Sequence, residues 1–207
     1  MYNVISTGST GNAIIYHNSI LVDCGVPYSL LAPYKNDIQL ILLTHCHGDH
    51  LNISTLKRLQ FERPGLRIGC GEFLVEFLEG LKNIDVYSAG KVYDYSWFKV
   101  SPVILYHDVK NFGYRIFMGE HKTLHCTDTY TLQGISAKNY DLYAIEFNYD
   151  EDTVWETIIE KESRGEFAHQ RGSINSHLSR QQAQDFILKN AVDKQYNILR
   201  LHESKSA

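Results

Sequence analysis

Three histidines and an aspartate are packed into six residues, His45-Cys-His-Gly-Asp-His50. An apolar run of strand length, Gln39–Thr44, leads directly into this cluster, and apolar residues at helical spacing follow it from Leu51 to Leu59. The cluster is therefore predicted to lie in a turn between a buried strand and a helix. Imidazoles and carboxylates crowded together without a cation would face one another at a cost in free energy. The pattern thus predicts a metal site.

Spacing divides the donors of this cluster into two pairs. His45 and His47 are two residues apart, so at a strand end they point to the same side and can bind one ion. Asp49 and His50 lie further into the turn and can bind a second ion. The thiol of Cys46, between two outward-pointing ligands, is expected to pack inward.

The motif His-x-His-x-Asp-His after an apolar strand resembles the signature of the metallo-β-lactamase superfamily. That superfamily has a third histidine, a bridging acid and a last histidine, each at a strand end. His107, Asp128 and His177 appear in this order, the last in Ser176-His-Leu-Ser179. The resemblance spans nearly the whole chain. It implies an α/β fold, a four-layer αββα sandwich, formed by a single hydrolase domain over residues 1–207.

The same resemblance implies a role for each of these residues. The implied ligands are His45, His47 and His107 for one divalent ion, Asp49, His50 and His177 for its neighbour, and Asp128 as the bridge. Asp23, in Leu-Val-Asp23-Cys-Gly25, looks like the first acidic motif of the superfamily. There the carboxylate orients the metal-bound imidazoles, a contact that such ligands generally require. The alternative for Asp23 is an ordinary turn aspartate before a glycine.

Two divalent ions about 3.5 to 4 Å apart, bridged by a carboxylate and a water, lower the pKa of that water from about 15.7 toward 7. The expected nucleophile is therefore a metal-bridged hydroxide, with Asp49 and Asp128 in the catalytic set. An aspartate rather than a cysteine at position 128 makes the ligand set hard and oxygen-rich on one side. This set suits zinc, with manganese and iron as alternatives.

The charge of the chain gives partial information about the substrate. The formal net charge is −4, and two divalent ions would bring it close to zero, with positive potential concentrated at the metals. This favours an anionic substrate, a nucleotide or a nucleic acid included. The chain does not show the broad basic face of a tight nucleic-acid binder. Arg171 and Arg180 flank His177 and are candidates for phosphate contacts.

A narrower resemblance concerns two further motifs. Ser6-Thr-Gly-Ser-Thr-Gly-Asn12 and Glu146-Phe-Asn-Tyr-Asp150 are similar to motifs of a small bacterial and phage branch of the superfamily that includes double-stranded DNA exonucleases. This likeness implies substrate contacts by Asn12 and Asn148. Tyr149 stands where the branch has a histidine. Because a tyrosine hydroxyl can still donate a hydrogen bond, Tyr149 is a candidate catalytic residue.

These observations predict a metal-dependent phosphodiesterase or nuclease, with a DNA exonuclease as its narrowest form. Three alternatives stay open: a phosphodiesterase for small or cyclic nucleotides, a thioester or lactone hydrolase with the same site, and a metal-stabilised interaction protein without turnover. The seven-residue ligand set argues against the last, because a structural zinc site is usually closed by four ligands. The sequence carries no recognisable export signal or bilayer-length apolar run, which predicts a cytoplasmic protein without a membrane partner. The oligomeric state is open, a homodimer included.

Residue patterning predicts alternating strands and helices in a chain that, at 207 residues and 43% hydrophobic, can bury one sizeable core. Predicted strands lie near residues 2–6, 13–17, 20–23, 39–44, 66–70, 84–87, 97–106, 113–118, 122–126, 141–147 and 197–202. Predicted helices lie near residues 28–34, 52–62, 72–82, 150–163 and 179–191. The four cysteines lie in apolar stretches without Cys-x-x-Cys spacing. They are expected to be reduced core residues.

Overall fold

The structure, a computed structural model, describes residues 1–168 and 170–203. The chain divides into two units, Met1–Lys91 and Val92–Ala207, and each unit contains one six-stranded sheet. Both units combine their sheet with helices, so the α/β class predicted from the sequence is confirmed. The single domain over residues 1–207 stays a prediction beside this division.

The first unit carries its strands across the sheet in the order of the sequence. Its strands are β1 (Tyr2–Ser6), β2 (Ala13–Tyr16), β3 (Ile20–Val22), β4 (Leu40–Leu42), β5 (Arg67–Gly71) and β6 (Ile84–Tyr87). Its helices are α1 (Tyr28–Leu31) and α2 (Ile53–Glu62), with 3₁₀ helices at Ala32–Tyr34 and Glu72–Leu78. The first three strands pair antiparallel, and β3 to β6 pair parallel. Helices occupy the crossover connections between the parallel strands, as such connections require.

The core of the first unit positions the histidine motif. Leu21 and Ile41, from neighbouring strands, belong to one buried cluster with Leu56 and Leu59 of α2. This helix begins at Asn52, whose side chain accepts a hydrogen bond from the backbone N–H of Thr55 at 3.0 Å, an ordinary N-cap. The loop between the end of β4 and this cap holds the motif, as the sequence predicts.

The second unit is a mixed sheet with strand order β12-β11-β10-β9-β8-β7. Its strands are β7 (Tyr93–Asp94), β8 (Lys99–Tyr106), β9 (Lys110–Met118), β10 (His121–Cys126), β11 (Leu142–Glu146) and β12 (Asn197–Leu201). Its helices are α3 (Val154–Ser163), α4 (Gln170–Ser176) and α5 (Arg180–Asn190). The pairs from β7 to β10 are antiparallel, whereas β10, β11 and β12 are parallel neighbours. Ser179 and Gln182 form a capping box that starts α5.

All the predicted strands and helical segments correspond to elements of the structure, with differences at their ends. Two elements of the structure were not predicted from the sequence, for different reasons. The strand β7 has two residues, too few to show any alternation. The helix α4 has no buried residue and includes Gly172, so it lacks the apolar stripe by which helices are recognised. The segment predicted at 72–82 is a 3₁₀ helix that ends at Leu78.

The four cysteine thiols are free, and those of Cys24, Cys70 and Cys126 are buried. Burial raises the pKa of the Cys70 and Cys126 thiols to about 12, so both are protonated at neutral pH. Cys46 is partly buried and packs against the core of the first unit, the inward orientation predicted for it. In the part of the chain that the structure describes, no helix has the length and apolar character needed to span a bilayer.

Candidate metal centre

The histidines of the first unit form one group in the loop after β4. The Nε2 atom of His45 lies 3.1 Å from Nδ1 of His47. The rings of His45 and His50 have centroids 4.1 Å apart, and both residues are buried. Three imidazoles in contact gather nitrogen donors at one place, and imidazole is a preferred ligand of zinc and related ions. The donor set of this loop therefore fits a metal ion.

Asp49 and His50, the second predicted pair, are also close, with Oδ2 of Asp49 3.5 Å from Nε2 of His50. The side-chain amide of Asn12 lies 2.8 Å from Nε2 of His50 and 3.3 Å from Oδ2 of Asp49. Asn12 is buried, and its Oδ1 accepts a hydrogen bond from the backbone N–H of Gly8 at 2.8 Å. The side chain of Asn12 is buried, and both its amide nitrogen and its amide oxygen contact other protein groups. These contacts favour a role in positioning the loop rather than the predicted role in binding substrate.

Asp23 lies beside these ligands, where the resemblance implies an orienting carboxylate. Its Oδ2 is 2.6 Å from Nδ1 of His50, and its Oδ1 accepts from the backbone N–H of Thr44 at 2.9 Å. Burial raises the pKa of the Asp23 carboxyl, and the neighbouring His50 opposes that rise. The hydroxyl of Thr44 lies between Asp23 and His45, 3.0 Å from Nδ1 of that imidazole. A carboxylate that fixes Nδ1 leaves Nε2 as the metal-binding atom.

The chain directly before β2 and the chain after β3 both make close backbone contacts with the histidine loop. The N–H of Cys24 donates to the carbonyl of His50 at 2.9 Å, and the N–H of Asn12 donates to that of Asp49 at 2.6 Å. A Cβ atom on Gly25 would lie 1.7 Å from the carbonyl oxygen of Asp49. Only glycine fits at position 25 without displacing the loop that carries the ligands.

We expect Gly25→Ala to lower the free energy of unfolding by about 3 kcal/mol, the upper end of the usual cost of overpacking, because the added methyl group meets backbone that cannot rotate away. Gly48→Ala is the matched control, since it lies in the same loop and its added Cβ meets nothing within 4 Å. Urea unfolding of the two variants measures the difference. Equal stabilities would contradict the close packing at Gly25.

The second unit gathers another polar cluster at the ends of its strands. Asp128, Glu146, His177 and His202 offer ligand atoms that all lie within 4.8 Å of one another. Asp128 follows β10, Glu146 ends β11 and His202 follows β12, three parallel neighbours whose carboxyl ends meet at one edge of the sheet. The ring of His107, after β8, lies with its centroid 5.1 Å from that of His177. Two imidazoles and two carboxylates with a third imidazole nearby fit a divalent metal ion as well.

Asp128 occupies a constrained position in this cluster. It is buried and has a left-handed backbone with φ 52°. The side-chain amide of Asn111 donates to the carbonyls of Thr127 and Asp128 at 2.9 and 2.7 Å. A left-handed aspartate is uncommon and persists only where the surroundings hold it. Asn111, which was not predicted to be a site residue, helps to stabilise this backbone conformation through its two hydrogen bonds.

Glu146 is a site residue that sequence analysis missed. It is fully buried, its Oε1 contacts Nδ1 of His177, and its Oε2 accepts from the backbone N–H of Thr129 at 3.0 Å. Burial opposes the protonated form of His177, yet hydrogen bonds to Asp128 and Glu146 outweigh it and raise the pKa of His177 to about 10. Glu146 thus orients the His177 ring through its contact with Nδ1. Its signal in the sequence is an acid at the end of an apolar strand.

His202 is the second missed residue, and it contacts both His177 and Asp128. The rings of His177 and His202 stack with centroids 5.1 Å apart and an interplanar angle of 11°. The Nε2 atom of His202 lies 3.6 Å from Oδ1 of Asp128. His202 directly follows the apolar strand β12, the same signal by which sequence analysis identified His107.

The last predicted ligand therefore has two candidates. The resemblance places a histidine at a strand end and assigns this position to His177. His177 lies in the short connection between α4 and α5, just before the helix predicted near residues 179–191, and not at a strand end. His202 stands at a strand end. Both imidazoles are within reach of Asp128. Position in the fold favours His202 as the ligand, whereas the Glu146 carboxylate at Nδ1 is a contact typical of a metal-bound imidazole and favours His177.

Asn148 and Tyr149 follow β11 and have different surroundings. Asn148 is buried, and its side-chain amide lies 2.9 Å from Nδ1 of His202 and donates to the His202 carbonyl at 3.2 Å. These contacts favour an orienting role over the predicted substrate contact. The ring of Tyr149 packs against the small cluster of Val154, Ile158 and Ala168, and burial raises the pKa of its hydroxyl. A catalytic role for Tyr149 stays a prediction.

The two arginines predicted to bind phosphate both have acidic neighbours. Arg171 is exposed and donates from Nη2 to Glu162 at 2.9 Å. Arg180, the first residue of α5, has Nη1 3.9 Å from Oδ2 of Asp150. Ion pairs at the surface contribute about 0–1 kcal/mol, so a phosphate can compete for either guanidinium. Phosphate binding by Arg171 and Arg180 stays a prediction.

The fold is that of the metallo-β-lactamases. The metallo-beta-lactamase fold protein YhfI from Bacillus subtilis is similar over 100% of this chain and 87% of its own, with a TM-score of 0.75 and 19% identity. The short form of human tRNase Z is similar over 99% and 93%, with a TM-score of 0.70 and 16% identity. A diphosphatase of the PhnP family is similar over 98% and 85%, with a TM-score of 0.67 and 15% identity. No protein-family model matches the sequence, and no curated protein sequence matches it.

Proposed function

We propose that this protein is a metal-dependent hydrolase and, within that class, a phosphodiesterase. The observation that carries the proposal is the donor set of each unit, in which a buried carboxylate contacts Nδ1 of an imidazole. Asp23 contacts Nδ1 of His50, and Glu146 contacts Nδ1 of His177. Such carboxylate–imidazole pairs are typical of metal sites, where they fix the ring and its tautomer. The names of two proteins with a similar fold, a tRNase and a diphosphatase, support phosphate chemistry.

The proposed ligands of two divalent ions are imidazoles and carboxylates of the histidine loop after β4 and of the polar cluster in the second unit. They are His45, His47, Asp49, His50, His107, Asp128 and, at the last position, His202 by its place at a strand end or His177 by its sequence motif. Asp128 is proposed to be shared by both ions. Nitrogen and oxygen donors without thiolate suit zinc, manganese or iron. Bound divalent ions lower the pKa of water and polarise a phosphoryl oxygen.

The remaining residues of the two clusters would keep the ligands in place. Asp23 and Thr44 hold the rings of His50 and His45, and Asn12 holds the loop that carries Asp49. In the second unit, the side-chain amide of Asn148 contacts Nδ1 of His202, whereas the amide of Asn12 contacts Nε2 of His50. Ligands oriented before the metal and substrate arrive need no reorganisation during the reaction. Arg180 is proposed to contact a substrate phosphate, since a guanidinium can donate two parallel hydrogen bonds to it.

A substrate panel tests the proposed function. The purified protein, loaded separately with zinc, manganese or iron, is incubated with linear DNA, RNA, cyclic nucleotides, bis-para-nitrophenyl phosphate, a thioester and a lactone. We expect hydrolysis of phosphodiesters that stops when a chelator is added, and none of the thioester or lactone. Metal-dependent cleavage of the thioester or lactone alone would replace the phosphodiesterase by the alternative hydrolase. If none of these compounds is cleaved with any metal, the proposal fails.

Salt dependence then separates a polymeric from a small substrate. A DNA exonuclease contacts several phosphates, so its substrate affinity falls steeply with added salt, by about one order in affinity per order in salt for each neutralised phosphate. An enzyme for small or cyclic nucleotides shows a shallow dependence. Apparent affinities for linear DNA and for a dinucleotide, measured across a salt series, distinguish the two.

A further inference from the structure

Two exposed tyrosines lie beside the metal-ligand candidates of the second unit. Tyr106 is the last residue of β8, directly before His107, and Tyr130 comes two residues after Asp128. The two residues are 47% and 44% exposed, and their ring centroids lie 5.9 Å apart. Large aromatic rings in contact with each other are thus held at the surface next to two proposed ligands.

Hydrogen bonds fix this tyrosine pair relative to the polar cluster. The backbone N–H of Tyr130 donates to the carbonyl of Tyr106 at 2.9 Å. The N–H of Tyr106 donates to the hydroxyl of Thr129 at 3.0 Å, and the N–H of Thr129 donates to Oε2 of Glu146 at 3.0 Å. Because these hydrogen bonds hold the backbone of both tyrosines, a ligand that binds the rings does not have to order that backbone.

The surroundings of the pair combine apolar surface with a positive charge. Ile104 is 54% exposed and lies on the same side of β8 as Tyr106, since residues two apart share one side of a strand. Lys110 of β9 is the cross-strand partner of Tyr106, is exposed, and forms no ion pair with any residue that the structure describes. Asp108 adds a negative charge, but its carboxylate lies 3.0 Å from Nε2 of His107. An aromatic face beside an ammonium group matches a nucleotide, whose base stacks and whose phosphate is anionic.

We propose that Tyr106 and Tyr130 form a stacking surface for a nucleobase, so that the substrate is a nucleotide or a nucleic acid rather than a base-free phosphodiester. This inference rests on the proposed phosphodiesterase function. Aromatic pairs in contact have centroids about 4.5–7 Å apart, so these two rings already touch and leave no room for a base between them. The base stacks on the outer side of the pair, where the rings are exposed to solvent.

Binding tests the stacking surface without requiring turnover. Metal-loaded protein is titrated with two fluorescently labelled pentamers, one of thymidine and one abasic, both with hydrolysis-resistant phosphorothioate linkages and equal charge. Wild type is expected to bind the thymidine strand more tightly. The double variant Tyr106→Leu with Tyr130→Leu is expected to bind it about 5- to 150-fold more weakly, the usual loss for one stacked base, and to lose the preference over the abasic strand.

Two controls isolate the role of the rings. The double variant Tyr106→Phe with Tyr130→Phe keeps both aromatic faces and is expected to retain the preference. Trp155→Leu removes an aromatic ring that is 53% exposed on α3 of the same unit and is expected to change neither affinity. Equal affinity of wild type for the two strands, or a preference that survives the leucine substitutions, would overturn the proposal.

Kinetics separate failure of this inference from failure of the proposed function. Thymidine 5′-(para-nitrophenyl phosphate) and methyl para-nitrophenyl phosphate present the same scissile bond with and without a base. The leucine double variant is expected to lose about 5- to 150-fold in kcat/KM on the first substrate and to match wild type on the second. An equal loss on both would overturn the stacking role. Absence of turnover of both substrates by wild type would count against the phosphodiesterase, while the binding preference would still decide the stacking surface.

Discussion

Asp128→Asn is expected to reduce phosphodiester hydrolysis by about a thousandfold or more while the protein stays folded. Loss of a residue that only orients a metal ligand already costs about 10- to 100-fold in metal affinity or activity, and Asp128 is proposed to bind both ions directly. Asparagine is the informative replacement because the backbone of Asp128 is left-handed, with φ 52°. Asparagine tolerates this conformation, whereas alanine would add a backbone strain of about 1–2 kcal/mol.

Three measurements check this expectation: the turnover rate, the metal content by elemental analysis, and the stability in urea. Asp193→Asn is the matched control, because it removes the same charge from an exposed residue of the same unit. The control should keep ordinary turnover. Ordinary turnover by metal-replete Asp128→Asn would show that the carboxylate is not a shared ligand, and the proposal of a bridged pair of ions would have to be abandoned.

The second large effect is expected from His202→Ala, which should bind about one metal ion fewer per chain than wild type and lose hydrolysis. His202 stands at the end of β12 with Nε2 3.6 Å from Asp128, the position that a ligand at a strand end requires. His177→Gln should keep the metal content of wild type. Glutamine can still donate a hydrogen bond to Glu146, whereas alanine would leave a buried carboxylate without its partner, at a cost of about 3–5 kcal/mol.

Metal content, rather than activity, distinguishes the two histidines, because both lie beside Asp128 and either substitution can impair turnover. His121→Gln, at the start of β10 and away from the ends of the parallel strands, is the control for loss of an imidazole. If His177→Gln loses an ion and His202→Ala keeps both, the last ligand is His177, as the sequence motif implies. If both variants keep both ions, neither histidine is a ligand.

The candidate site of the first unit could largely be predicted from the sequence because it is local. His45, His47, Asp49 and His50 lie within six consecutive residues, after an apolar run and before an apolar helical stripe. A strand end and a helix start leave few conformations for the connection, so neighbours in sequence become neighbours in space. Asp23 is distant in sequence but close in the sheet, and only the family resemblance pointed to it.

The cluster of the second unit was predicted less completely because its members come from separate strands. Glu146 and His202 each follow an apolar run, and that pattern alone does not distinguish a ligand from an ordinary polar residue. What distinguishes them is that β10, β11 and β12 are parallel neighbours, so the residues at their carboxyl ends share one edge. The likeness of a short motif led instead to His177, which lies between two helices. Asn12 and Asn148 were predicted to face substrate for the same reason, although both are buried against histidines.

By itself, then, the sequence determined the order of strands and helices, the α/β class and the histidine loop after β4, since periodicity and short-range connections depend only on nearby residues. The tertiary structure alone decided which distant side chains meet. Hydrogen bonding between strands sets their order and register, and no local pattern encodes that pairing. Glu146 against His177 and His202 beside Asp128 therefore became visible only when the strands were paired in one sheet.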